Sequence, residues 1–271
     1  MTQAAPSDMN RVLIVGGTGS IGRLVASRLL ELGRLPRVLT RDPARARRSL
    51  PAGVEVVAGE LADPTAVRAA VAGVDAVVMT HGAPHGSGDH AAVDYGAVPA
   101  VLDALDGHRL PVVLMSSIGV TASGGQSREL LEWKRRGERL LRVSGLPYTI
   151  VRPGWFDARS SSHQQVDLRQ GDLTEYGPVR RDHVAETIVQ ALLTESARGR
   201  TVEVFSADGP ALTDWPGAFL AAEPDRPGDL DGALDRPGPQ PQAEPERVRA
   251  DLRRHTHTPL TAELRHLRRP S

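Results

Sequence analysis

RVLIVGGTGSIGRLVASRLLEL, residues Arg11 to Leu32, is the stretch whose reading decides the fold. Val12 to Val15 is a run of four aliphatic residues, the pattern of a parallel strand buried on both faces. Gly16-Gly17-Thr18-Gly19-Ser20-Ile21-Gly22 follows at once and leads into a helix, with Leu24, Val25, Leu29 and Leu32 expected along one face. Strand, glycine turn and helix in that order need glycine for three reasons. The backbone reverses at one position, a diphosphate approaches a second with no Cβ in the way, and the helix packs on the strand at a third. The free N–H groups of the first helical turn then face the anion, and the helix dipole adds to the attraction. The spacing GxxGxxG alone is a weak signal; between an aliphatic strand and an amphipathic helix it marks a phosphate-binding unit.

Outward from this unit, strands and helices alternate. Arg37 to Thr40, Val54 to Ala58 and Val74 to Thr80 read as the second, third and fourth strands, and Pro64 to Val71 as a helix with Asp63 as N-cap. Ala91 to Leu105 reads as a helix and Pro111 to Ser116 as the fifth strand. Gln126 to Val143 is a long amphipathic helix offering Leu130, Leu131, Leu140 and Leu141 to the sheet. Tyr148 to Val151 is the sixth strand, Asp182 to Leu193 a helix and Thr201 to Phe205 the seventh strand. Each parallel crossover requires a helix on a face, so this order predicts an α/β, doubly wound parallel sheet with helices on both faces.

Residues 1–10 are expected to be disordered, and residues 11–210 to form the domain. Residues 211–271 form an irregular C-terminal tail, whose stretch 223–245 is too rich in Pro, Gly and Asp to fold by itself. Two short amphipathic segments close the chain, one with Val248 and Leu252, the other with Leu260, Leu264 and Leu267 beside Arg265, Arg268 and Arg269. The second, basic segment is expected to pack back on the domain as a solvated helix, with contact to a partner as the alternative.

The 271 residues suffice for a full core, and a formal net charge of zero gives no reason to expect a nucleic-acid or membrane partner. Cysteine is absent, which removes disulfides, zinc-thiolate sites and cysteine nucleophiles. The start, MTQAAPSDMN, lacks an apolar stretch, and no run reaches the ~18 apolar residues of a membrane span, so a cytoplasmic protein is expected. Among 33 cationic side chains Lys134 is the single lysine. A sequence that otherwise uses arginine throughout keeps an ammonium where a compact, point-like donor is needed.

In this architecture the end of the second strand reaches the adenosine ribose of a bound dinucleotide. Thr40-Arg41 stands there, with Arg45 one turn on. A guanidinium forms a bidentate pair with phosphate, which favours NADP over NAD. Asp42, one residue later, is the competing group that would accept a free 2′-hydroxyl.

Six motifs in order carry a resemblance. They are Gly16 to Gly22, Thr40-Arg41-Asp42-Pro43, Gly59-Glu60-Leu61-Ala62-Asp63, Val93-Asp94-Tyr95, Met115-Ser116-Ser117-Ile118-Gly119, and the run from Ser144 to Gly154, SGLPYTIVRPG. Together these resemble the atypical short-chain dehydrogenase/reductases, in the Rossmann-like NAD(P)H-binding branch similar to biliverdin/flavin reductases and nitrogen-repression regulators, over residues 11–206. The resemblance implies that Gly16, Gly17, Thr18, Gly19, Ser20, Ile21 and Gly22 cradle the diphosphate, with Thr40 and Arg41 at the ribose. It places Glu60 and Leu61 beside the adenine, and Thr80, His81 and Gly82 along the ribose. Ser116 and Ser117 fall beside the nicotinamide, and Pro153, Gly154, Trp155 and Phe156 close over it. Lys134 falls where the family's active-site lysine lies. The tyrosine expected four residues before that lysine is Leu130 here.

Without that phenol the usual acid for ketone reduction is missing. Hydride transfer belongs to the cofactor, and a substrate that disperses its own negative charge needs no strong protein acid. A conjugated carbonyl, a quinone or a flavin-like molecule meets that condition. The catalytic candidates are Ser117 to bind the substrate oxygen, Lys134 to hold the nicotinamide ribose, and His81 as a proton source near neutral pH. His85 and His90 share the loop with His81, but a Gly/Pro-rich loop fixes no ligand geometry and no metal is expected. Tyr95 remains a second phenol, Tyr148 is expected in the core, and Trp155 and Phe156 offer a stacking surface. The expected partner is a small aromatic or conjugated substrate, with the chain a monomer or homodimer. Two other readings stay open: an NADP-binding redox sensor without turnover, and a ketoreductase or epimerase with a relocated acid.

Overall fold

The structure, a computed structural model, describes residues 9–83, 88–122, 127–156, 163–174 and 176–256. Residues 1–8, His85 and the segment with Leu260, Leu264 and Leu267 lie outside the described residues.

Eight strands form one sheet: β1 (Arg11–Val15), β2 (Leu35–Thr40), β3 (Glu55–Ala58), β4 (Ala76–Met79), β5 (Val112–Met115), β6 (Tyr148–Pro153), β7 (Gln165–Arg169) and β8 (Arg200–Ala207). Their spatial order is β3-β2-β1-β4-β5-β6-β8-β7, parallel throughout except for β7, which pairs antiparallel with β8. The chain reverses its direction of winding between β1 and β4, and ligands of such sheets bind outside the carboxyl ends of the strands at that switch.

Among the described residues eight α-helices accompany the strands: α1 (Ser20–Glu31), α2 (Pro43–Ser49), α3 (Pro64–Val71), α4 (Ala97–Leu105), α5 (Arg128–Val143), α6 (Arg181–Leu193), α7 (Trp215–Ala221) and α8 (Glu246–His255). Alternating side chains of β1 divide the core. Val12 and Ile14 join the layer with Val25, Leu29 and Ile188, while Leu13 and Val15 join the layer with Val67, Val101 and Leu140.

Several elements depart from the sequence reading, among them α2 and α7, which it did not expect. The buried face of α1 is Ile21, Gly22, Val25, Ala26 and Leu29, while Leu24 and Leu32 are each 37% exposed. Gly22 must lie against the turn, and this sets the helical phase and leaves Leu24 outside. The expected helix 91–105 is two pieces: Ala91–Tyr95 is a π-turn, closed by the Tyr95 N–H on His90 O at 3.1 Å, before α4 begins. β7, with the sequence QVDLR, was not expected; an edge strand carries no aliphatic run.

Residues 223–245 have no core of their own and lie along α5, tied to it by charge. Arg142 and Arg152 are buried, and Glu138 bridges them, its Oε2 at 2.6 Å from Arg152 Nη2 and 3.0 Å from Arg142 Nη2. The tail supplies the other anions. Asp235 takes both Arg152 Nη atoms at 2.7 Å, Asp225 meets Arg142 Nε at 3.3 Å, and Glu244 accepts from Arg139 at 2.8 Å and Arg136 at 2.7 Å. Burial alone would raise the carboxyls of Glu138 and Asp235, but the facing guanidiniums override it, and Asp235 is held down at about 2.

Candidate functional site

The glycine turn follows β1 with Gly16 at φ +85°, a region that favours glycine. A Cβ there would stand 2.6 Å from the His81 backbone N, so this glycine permits the close approach of β1 to the end of β4. A Cβ on Gly22 would meet Gly16 O at 2.4 Å, which makes it the helix-packing glycine. Gly19 differs: its φ of −72° suits any residue, and an added Cβ would meet only Gly16 O, at 3.2 Å. Gly19 is also the N-cap of α1, and no side chain caps that end. The turn therefore leaves a cradle at the first N–H groups of α1, the position an anionic diphosphate requires.

At the end of β2, Asp42 Oδ1 accepts the Arg45 N–H at 2.9 Å and caps α2, so the competing acid is engaged by its own helix. Arg41 is exposed and makes no ion pair among the described residues. The Asp-Pro start of α2 is the same signature as Asp63-Pro64, and it was legible though unread. After β3, Glu60 is exposed and Leu61 half-buried against the core.

At the end of β4, Thr80 Oγ1 donates to Val15 O at 3.3 Å and ties the strand ends together. His81 is buried, with Nε2 at 3.3 Å from Asp94 O. A carbonyl only accepts, which assigns the proton to Nε2 and leaves Nδ1 a bare acceptor, buried and without a partner among the described residues. Burial and the nearby Lys134 cation push the His81 pKa down to about 4. The ring is neutral at pH 7, so His81 does not serve as the neutral-pH imidazolium acid that the loop led us to expect.

Lys134 lies on α5 with its side chain 11% exposed, and its Nζ is 3.1 Å from Asp94 Oδ1. Asp94 is wholly buried; its Oδ2 accepts from His90 Nδ1 at 2.9 Å and from the Ala83 N–H at 3.4 Å. The π-turn carries Asp94 to this position, which the sequence reading assigned no role. Leu130, one turn before Lys134, is half-buried. Tyr95 and Tyr148 do not replace the missing phenol: their hydroxyls donate to Asp251 at 2.8 Å and Asp225 at 3.0 Å, and burial raises both pKa values.

At the end of β5, Ser116 Oγ is buried and unpartnered among the described residues, whereas Ser117 Oγ donates to Ile118 O at 2.9 Å. The uncommitted hydroxyl is thus that of Ser116. At the end of β6, Pro153 and Gly154 are buried, and a Cβ on Gly154 would meet Gly177 O at 2.2 Å, which makes it a packing glycine. Trp155 is 53% exposed, and Phe156 lies beneath the Arg181 guanidinium at 5.0 Å.

A glycine cradle at the winding switch, with uncommitted polar atoms at the ends of β4 and β5, defines a dinucleotide-binding protein of the doubly wound α/β class. The chain belongs to the NAD(P)H-binding family, whose model matches residues 16–195. It stands within the atypical short-chain dehydrogenase/reductases, as the six motifs implied. It is 30% identical over 221 residues to the NAD(P)H azoreductase of Xenophilus azovorans, covering 78% of this chain and 71% of the relative. Identity to the sanguinarine reductase of Eschscholzia californica is 26% over 259 residues, covering 77% of this chain and 94% of the relative. A putative NAD-dependent epimerase/dehydratase from Bacillus halodurans superposes with a TM-score of 0.65 at 25% identity, over 78% of this chain and 99% of that one. No helix among the described residues is long and apolar enough to cross a membrane.

Proposed function

We propose that this NAD(P)H-dependent reductase of the short-chain dehydrogenase/reductase type works in the cytoplasm and prefers NADPH. Its substrate is a conjugated carbonyl, a quinone or a flavin-like small molecule. The observation that carries the reading is the pair of buried atoms His81 Nδ1 and Ser116 Oγ, without a partner among the described residues, at adjacent strand ends, in a site where Leu130 stands in place of the phenol one turn before the lysine. Bound NADPH supplies the hydride. Gly19 and the first turn of α1 hold the diphosphate, and Arg41 pairs with the 2′-phosphate while Asp42 is engaged by α2. His81 Nδ1 accepts from a ribose hydroxyl, Lys134 donates to the same sugar, and Ser116 Oγ donates to the substrate oxygen.

No protonated imidazole or free phenol stands in this set, so the substrate must spread the incoming charge over its own conjugated system and take its proton from water. The azoreductase and the sanguinarine reductase among the relatives support a reductase. The test is loss of NADPH absorbance against a panel of quinones, flavins, azo dyes and saturated ketones, beside a binding titration. Turnover of the conjugated members and not of the saturated ketones is expected; ketone reduction at equal rates overturns the substrate class. Tight binding with no turnover selects the sensor reading, which the engagement of Lys134 by Asp94 favours.

A further inference from the structure

We infer that Asp172, in the turn after β7, is a positioning residue that holds the loop after β5 in the shape that presents Ser116. Its carboxylate takes three donors from that loop: the Gly119 N–H at 2.5 Å, the Thr121 N–H at 2.7 Å and Thr121 Oγ1 at 2.8 Å. The loop reverses there, with Gly119 at φ +83°. Before the reversal the loop is fixed by backbone alone, Ser116 N–H on Val151 O at 2.8 Å and Ile118 N–H on Pro153 O at 3.1 Å. After it, the described hydrogen bonds that cross to another element are those to Asp172.

Asp172 is itself in the left-handed region, at φ +53°, a conformation few non-glycine residues adopt. Its N–H donates to Glu203 Oε1 at 2.5 Å, and Glu203 is buried on β8. A strained residue, braced from behind by a buried carboxyl and facing two loop amides, is the arrangement by which a fold fixes one shape of a functional loop. β7 then has a purpose: it brings this turn from the sheet edge to the site.

The activity arm of the test rests on the proposed reductase reading, and the other arms do not. Asp172→Gly relieves the strain and removes the carboxylate; Thr121→Val removes one of the three contacts. Amide hydrogen exchange of residues 116–122 in the cofactor-free protein should speed up in Asp172→Gly, and less so in Thr121→Val. Emission from the nicotinamide of bound NADPH should shift, while the NADPH Kd stays within about twofold, because the glycine cradle is untouched. With menadione as the probe, kcat should fall about tenfold at an unchanged KM for NADPH. Unaltered exchange overturns the inference. So does faster exchange with unaltered nicotinamide emission, which makes Asp172 an anchor of the loop and nothing more. If the parent protein turns over no panel member, the reductase reading falls, and exchange and emission still decide the role of Asp172.

Discussion

Gly19, Lys134 and Arg41 are the residues at which the reading of the site is most exposed to test. Gly19 has an ordinary backbone conformation and open space beyond one carbonyl, so a larger side chain enters the cradle and not the core. Gly19→Val should therefore keep its melting temperature and lose NADPH binding by calorimetry; retained binding would show that the turn is structural only. Lys134→Met leaves the wholly buried Asp94 short of a cation, so both stability and turnover should fall, turnover on the order of 10²-fold, or about 2.7 kcal/mol. Lys134→Arg keeps the charge and most of the stability, but its planar fork does not reproduce a compact donor. An arginine variant with the parental rate would remove Lys134 from the active site. Arg41→Ala should abolish a preference for NADPH over NADH of at least about tenfold, read by fluorescence titration. These residues were legible because glycine spacing, a lone lysine and the end of β2 each have a chemical reason. Asp94 and Asp172 were not, since each acts through a partner brought in by the fold.

Among the elements, α5 shows what pattern reading misses. Of its expected apolar stripe Leu140 and Leu141 join the core, and the sequence reading assigned its arginines no place. Arg135, Arg136, Arg139 and Arg142 are covered, because carboxylate partners arrive from residues 225–244, about ninety positions later, and no local period records that. Asp235→Asn leaves the buried Arg152 with Glu138 alone, an anion it already shares with Arg142. The expected loss is about 3 kcal/mol, read as a lower urea midpoint. Asp63→Ala, which removes an exposed helix cap, should cost about 1 kcal/mol. If the two variants lose the same amount, the clamp along α5 is worth no more than a surface contact.

The whole molecule should answer to pH in two stages. The His81 pKa stands at about 4 in the fold against 6.5 in an open chain, so between those values the unfolded state binds the extra proton. Stability is therefore complete above pH ~6.5 and declines toward pH ~4, by about 3 kcal/mol in all. Asp235, held at about 2 against 3.8, contributes above pH ~4, and that contribution is lost as the pH falls toward 2. Burial lowers the His183 pKa as well, so urea unfolding at several pH values should show a shallower first decline in His81→Gln than in the parent; identical slopes would mean the His81 imidazole is not buried neutral.

The clamp on α5 also orders events in time. Synthesis runs from the amino terminus, and a domain begins to fold as it emerges. Glu138 alone faces Arg142 and Arg152 until Asp225 and Asp235 are made, and Arg139 waits longer still for Glu244. A nascent chain halted after β8 carries the glycine turn and every strand of the sheet, yet holds buried guanidiniums in excess of carboxylates. The chain must therefore be made through residue 244 before the arginines along α5 have their full set of counter-charges.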